Sequence, residues 1–297
     1  MGMRGQADTP MSEGENIGLL ERIVADQREI LAKHIDKPID EIPQVWALYK
    51  EVQGFYERGM RVPDDVTLLW ADDNFGNVRR LPTSDELGRQ GGAGVYYHFD
   101  YVGGPRSYRW INTVPLGKVW EQMNLAWDYG ADRIWITNVG DLKPMELPIS
   151  FFLAQAWDPS AFDETSPDSF TREWVRKQFN GQYTDEITRL LNTYTLHNGR
   201  RKPAAIAPDT YSVLNYNEAS RISAELADAA ALAEKIHADI DSAYRDSFFQ
   251  LVGYPLWASQ TMFELNHAQA LNRLYAEQDR STTNEMAAKV NGWFARD

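Results

Sequence analysis

Cysteine is absent from the 297 residues, which excludes disulfides and thiolate metal sites. The absence does not choose a compartment, since many exported proteins also lack disulfides. Basic residues are in deficit: 30 Lys and Arg stand against 43 Asp and Glu, a net charge of −13. That balance argues against a nucleic-acid partner, whose phosphates would be repelled at long range. No apolar run reaches the roughly 18 residues of a membrane-spanning helix, so no membrane partner is expected. Met1 to Met11 lacks the charged-then-apolar order of a signal peptide. Histidine is scarce, and His34, His197, His237 and His267 fall on or near helical segments without metal-ligand spacing. No glycine-rich phosphate loop follows a strand, because Gly91, Gly92 and Gly94 precede one.

Aromatic residues are well represented, with 10 Trp and 14 Tyr. Such rings fill cores, and they also stack on the C–H face of a pyranose while its hydroxyls find partners at the edge. The hydrophobic share is 43%, ordinary for a folded globular chain, and the length leaves room for two domains.

The first half alternates. A helical stripe of Ile17, Leu20, Ile23, Val24, Ile30 and Leu31 covers Asn16 to His34. Four short apolar runs then read as buried strands: Gln44 to Tyr49, Val66 to Trp70, Val95 to Phe99 and Arg133 to Thr137. A helix ending near Gly59 follows the first run, and Gly117 to Tyr129, ended by Gly130, precedes the last. All-apolar strands alternating with helices describe a parallel sheet covered on both faces. Polar residues cluster where the strands end: Glu51 after the first, Asp72, Asp73 and Asn74 after the second, Asp100 and Tyr101 after the third, Asn138 and Asp141 after the fourth. Barrel enzymes build their sites at that end. From Trp157 onward helical periodicity takes over, with segments at Ser166 to Phe179, Thr184 to His197, Asn217 to His237 and Ser259 to Glu277, and with breaks at Pro203, Pro208, Gly253 and Pro255. The fold class expected is therefore α/β: an incomplete TIM (β/α) barrel over residues 1–156, followed by an all-α helical bundle domain over 157–297. A closed barrel needs about eight strands. Met1 to Arg4 supplies at most the tail of one more, so either the sheet is open or the chain begins inside a barrel whose first strands are absent.

Two carboxyl groups commonly cleave a glycosidic bond, one protonating the departing oxygen and one activating water or attacking the sugar. Glu51, Asp72 and Asp73 sit where such groups are looked for. A first-turn acid such as Glu51 also suits a helix N-terminus for purely structural reasons. Asp72 and Asp73 cannot both enter one cleft if the strand continues, because alternate residues face opposite sides. Together with Asn74 they could instead hold a hard cation. In Tyr96-Tyr97-His98-Phe99-Asp100-Tyr101, alternation puts Tyr96 and His98 on one face, and Tyr101 can return to the same mouth beyond the turn.

Three motifs in order carry a resemblance: Trp70-Ala71-Asp72-Asp73-Asn74-Phe75-Gly76 with Arg79-Arg80-Leu81-Pro82; Val95 to Tyr101 with Gly103-Gly104-Pro105; and Asn138-Val139-Gly140-Asp141-Leu142-Lys143-Pro144 with Glu146-Leu147. The chain resembles glycoside hydrolase family 115, the xylan α-1,2-glucuronidases, over nearly its whole length. The resemblance implies a cofactor-free inverting hydrolase that removes glucuronic acid, or its 4-O-methyl form, from glucuronoxylan or its oligosaccharides. It implies that the chain starts at the end of the fourth barrel strand, that the parent enzyme is periplasmic or secreted, and it leaves a homodimer open. Carried over by motif, Glu51 in Tyr49-Lys50-Glu51-Val52 becomes the general acid, which must start protonated. Asp8 and Asp72 become the two further essential acids, one of them preparing the water. Arg4, Asn74, Tyr96, His98 and Tyr101 become the residues that hold the uronic acid, with Arg4 offsetting its carboxylate. Gln6 and Ala7 depart from the more usual Asp-Gly of the loop carrying Asp8. Two rival readings remain: a non-catalytic carbohydrate-binding or scaffold fragment, and a metal-dependent barrel hydrolase using Asp72 and Asp73.

Overall fold

The structure, a computed structural model, describes residues 16–101, 110 and 112–296. Arg4 and Asp8, the strand tail expected at Met1 to Arg4, and Gly103 to Pro105 lie outside the described residues. The described chain falls into two compact units, one drawn from Met1–Pro105, Gly117–Gly140 and Phe152–Glu164, the other from Arg106–Leu116, Asp141–Phe151 and Thr165–Asp297. It is an α/β fold in which a partial (β/α) barrel accompanies a helical domain. No described helix is long and apolar enough to cross a membrane.

The first unit opens with helix α1, Ile17–His34, whose Leu20 and Val24 are buried. Arg28 on α1 makes a two-pronged bond to Asp65, at 2.7 and 3.0 Å, just before the second strand. Strands β1 (Val45–Leu48), β2 (Thr67–Ala71), β3 (Ala93–His98) and β4 (Trp135–Asn138) form one sheet in the order β1-β2-β3-β4. All three neighbouring pairs are parallel, in registers that align Leu48 with Trp70, Trp70 with Val95 and Val95 with Trp135. Since side chains alternate, Trp46, Leu48, Trp70, Val95, Tyr97 and Trp135 share one face and Tyr96, His98 and Ile136 share the other.

The first face is the one the helices cover. Helix α2, Glu51–Glu57, sets Tyr56 edge-on against Trp70, with ring centroids 5.7 Å apart. Phe152, from helix α4 (Glu146–Trp157), lies 6.2 Å from both Tyr97 and Trp135. Arg80, in the motif after β2, stacks its guanidinium 4.2 Å over Trp70 and pairs with Glu86 at 2.9 Å. That gives the Arg79-Arg80 motif a structural role. Burial alone would raise the Glu86 carboxyl, but the bonds from Arg80 and the Thr83 N–H outweigh it and hold the group below its ordinary value.

Backbone chemistry sets the element ends. Helix α3, Leu116–Asp128, closes where the Ala131 and Gly130 N–H groups return to the carbonyls of Ala126 and Trp127, with Gly130 at φ 76°. Gly94 lies inside β3, not before it: a Cβ there would stand 2.1 Å from the Ile134 carbonyl oxygen. Only glycine lets the two strands pair so closely.

The second unit holds helices α5 (Ser166–Gln178), α6 (Thr184–Arg200), α7 (Glu218–Asp239), α8 (Ser242–Phe248), α9 (Tyr254–Glu277) and α10 (Thr283–Arg296). Residues Ile222, Leu226, Ala229, Ala233 and Ile236 give α7 its buried stripe. Helix α9 packs on α6, α7 and α10, with Ser259 bonded to Asn198 of α6 and the Trp257 indole to the Ala230 carbonyl of α7. The break expected at Gly253 and Pro255 is not a break. A π-helical segment, Phe249–Gly253, joins α8 to α9 directly, and Pro255 follows immediately after that wider turn.

Candidate active site

Four loops meet the C-terminal end of the sheet. After β1 the chain passes through Tyr49 and Lys50 into α2, so Glu51 stands at the first turn of that helix. Lys50 makes the corner at φ 51°, ψ −123°, a conformation that costs a non-glycine residue roughly 1–3 kcal/mol and is held only by its surroundings. Its ammonium lies 5.1 Å from the centre of the Tyr49 ring and 5.3 Å from that of Tyr101. The positive charge thus tethers the β1 loop to the loop after β3.

After β2 the chain folds back on itself. Asp72 bridges to Val78, Asp73 N–H donates to the Asn77 carbonyl and Arg79 N–H to that of Ala71. Asn74 at φ 66° and Gly76 at φ 84° make the reversal. The two neighbouring acids then part. Asp73 turns to its own loop, accepting from the N–H groups of Phe75 and Asn77 at 2.9 and 3.1 Å and from the Asn77 amide at 2.7 Å. Asp72 turns inward, is 1% exposed, and meets Nδ1 of His98 through Oδ1 at 2.5 Å. The pair do not converge on a common point as ligands of one cation would. Among the described residues, no group of three or more His, Cys, Asp or Glu side chains could hold a metal ion.

His98 itself is 2% exposed. Tyr49 stacks on it at 5.3 Å and 21°, Tyr96 leans against it at 4.3 Å, and the Tyr49 hydroxyl donates to Asn74 Oδ1 at 3.3 Å. The opposite face of β3 serves the core: Tyr97 is fully buried and donates its hydroxyl to the Gly76 carbonyl at 3.0 Å. Burial, with Asp72, Asp73 and Glu121 adding to it, pushes the Tyr97 phenol well above its ordinary value, so it remains a donor. At the end of β4, Asn138 accepts the Gly140 N–H through Oδ1 at 3.1 Å, and its carbonyl accepts from Phe99 and Asp100.

Of the residues singled out from sequence, Asp72, Asn74, Tyr96 and His98 therefore form one cluster, Tyr101 joins it through Lys50, and Glu51 begins the helix beside it. Arg4 and Asp8 are outside the described residues. Sequence reasoning passed over Tyr49 and Lys50 as site residues, although the position directly after a buried strand was the available signal. The cluster offers a hydrogen-bonding histidine, phenols, an amide and carboxyl groups around rings, an assembly suited to a polyhydroxylated substrate. The helical unit offers a different space, a cavity of about 400 Å³ whose described lining is Trp110, Pro144, Tyr194, Phe249, Gln250, Tyr254 and Pro255. None of these is an acid or histidine.

A family model, Glycosyl hydrolase family 115, matches residues 1–205. No curated protein matches the chain. A solved structure described as a novel family GH115 4-O-methyl-alpha-glucuronidase, BtGH115A, with specificity for decorated arabinogalactans, is similar at 28% identity and a TM-score of 0.83. The match covers 98% of this chain and 40% of that one, so the chain spans less than half the length of the structure it resembles.

Proposed function

The chain belongs to glycosyl hydrolase family 115, and from that premise we propose that it carries part of the active site of an inverting glycosidase that removes glucuronic acid or its 4-O-methyl form from a polysaccharide. The observation that carries this reading is the Asp72–His98 pair, walled by Tyr49, Tyr96 and Asn74, at the strand end beside which Glu51 begins helix α2. In the proposed reaction Glu51 gives its proton to the glycosidic oxygen as the bond to the anomeric carbon breaks. A second acid, Asp8 or Asp72, removes a proton from the water that attacks the opposite face. Inversion needs space for that water, so the two carboxyl groups should stand about 6.5–9.5 Å apart. Asn74, Tyr96, His98 and Tyr101 bind the hydroxyls, and Arg4 offsets the uronate charge through charge-assisted bonds.

The backbone carrying the uronic acid has two readings. Glucuronoxylan follows from the sequence motifs; a decorated arabinogalactan is favoured by the similar structure's described specificity. The remaining barrel strands are proposed to come from chain beyond these residues, since the described sheet has four strands where a closed barrel has about eight.

The test uses full-length protein with glucuronoxylan and arabinogalactan oligosaccharides, following free uronic acid. Release from one of them is expected, and Glu51→Gln should cut turnover by about 10²–10⁴-fold, the range of a general acid, while calorimetry still detects glucuronate binding. Equal loss of binding and turnover would give Glu51 a folding role, and no release from either substrate by the wild type would refute the reading.

A further inference from the structure

We infer that Asp72 is a positioning residue, which fixes the proton of His98 on Nδ1 and so presents Nε2 to a sugar hydroxyl, and that the attacking water is activated by a different acid. The inference rests on the glycosidase reading of this site.

A base that activates water needs a carboxylate lone pair aimed at a water on the open face of the sugar. Asp72 is not so placed. Its side chain has no exposed surface, and each oxygen already has a partner: Oδ1 the His98 Nδ1 at 2.5 Å, Oδ2 the Gly76 N–H at 3.2 Å. A carboxylate only accepts, so the ring must donate to it, which places the proton on Nδ1. In the neutral ring Nε2 is then a bare acceptor, and among the described residues it has no hydrogen-bond partner.

The loop around Asp72 is fixed from several sides, as a positioning device requires. Gly76 donates to Asp72 and at the same time accepts the buried Tyr97 hydroxyl at 3.0 Å. Val78 N–H donates to Gln122 Oε1 at 2.7 Å, which ties the far side of the loop to α3. Tyr49 and Tyr96 brace the imidazole ring itself. Tyr97 and Gln122 thus act on His98 through the loop, without reaching the mouth.

Asparagine distinguishes the two roles because it has one acceptor oxygen and one amide nitrogen. In Asp72→Asn the oxygen serves the Gly76 N–H and the amide must donate toward Nδ1, which drives the ring proton to Nε2. Imidazole ¹⁵N spectra of the full-length protein are expected to show His98 protonated on Nδ1 in the wild type and on Nε2 in Asp72→Asn. Turnover of Asp72→Ala should fall about 10²-fold or more and should not be restored by azide. Azide substitutes for a missing base by forming a C1–N bond on the face opposite the departing oxygen, while Glu51 still supplies the leaving-group proton.

A glycosyl azide of inverted configuration from Asp72→Ala would overturn the proposal. So would a wild-type His98 carrying its neutral-ring proton on Nε2, a measurement that needs no variant to fold. A wild-type protein that releases no uronic acid would sink the glycosidase reading alone, leaving the tautomer result to stand for the pair.

Discussion

Asp72 and Asp73 show what a single position can and cannot disclose. Alternation would keep the two from one cleft only if the strand continued, and β2 ends at Ala71. Which one turns inward depends on the chain reversing at Asn74 and Gly76, so that the Phe75 and Asn77 N–H groups capture Asp73. The same holds for Lys50, whose strained corner is invisible in its letter. Since its φ of 51° and ψ of −123° suit glycine, Lys50→Gly should keep full thermal stability, within about 1 kcal/mol of the wild type, despite losing contacts to two rings. A melting temperature lowered by the equivalent of about 2 kcal/mol or more would show that the corner is unstrained. His197 on α6 gives a pH prediction. Burial, with Arg200 adding to it, lowers its proton affinity, and Glu225 at 3.1 Å does not reverse this. The folded ring therefore stays neutral where an unfolded one, with a pKa of about 6.5, takes up a proton. Stability from this group is complete above about pH 6.5 and is lost as pH falls toward and through the lowered folded value. Denaturant midpoints of the wild type should drop more steeply between about pH 7 and 5 than those of His197→Gln, and parallel curves would contradict it.

At the scale of elements, the strands were legible because buried parallel strands are short apolar runs, and β1 to β4 each fall within two residues of the expected bounds. Helix α4 was missed for the opposite reason. Its Leu147, Ile149, Phe151, Phe152, Leu153 and Trp157 place apolar residues on every side, so no amphipathic period marks it. The early start of α9 was hidden by Pro255, which reads as a helix breaker but here follows a π-helical turn. Arg80 shows a motif whose purpose is packing: replacing it with Ala should destabilise the protein by about 1–3 kcal/mol, through the lost stacking on Trp70 and the unpaired Glu86. Gly94→Ala should cost about 1–3 kcal/mol or more, because the added carbon meets the Ile134 carbonyl. Unchanged unfolding midpoints in either variant would contradict these accounts of the sheet.

For the whole molecule, the class of fold and the family were readable from the order of motifs, whereas the partnership of Asp72 with His98 required coordinates. Sequence supplied residues near one strand end; only the register of β2 with β3 and the turn after Ala71 bring this acid onto this ring. Two edges of the sheet, β1 and β4, have no further strand beside them among the described residues, and Ile134 and Ile136 are 37% and 38% exposed. On the proposal that further chain completes the barrel, the 297 residues alone are expected to release little uronic acid compared with the longer protein. Equal rates per molecule would show that four strands suffice for the site. The central claim is that two acids, Glu51 one of them, act from opposite faces of a uronic sugar. It is tested most directly by following the anomeric protons of the first product by NMR as full-length protein acts on an α-linked glucuronosyl oligosaccharide. The account predicts that β-glucuronic acid appears first and the α form only by later mutarotation; α-glucuronic acid as the initial product would contradict it.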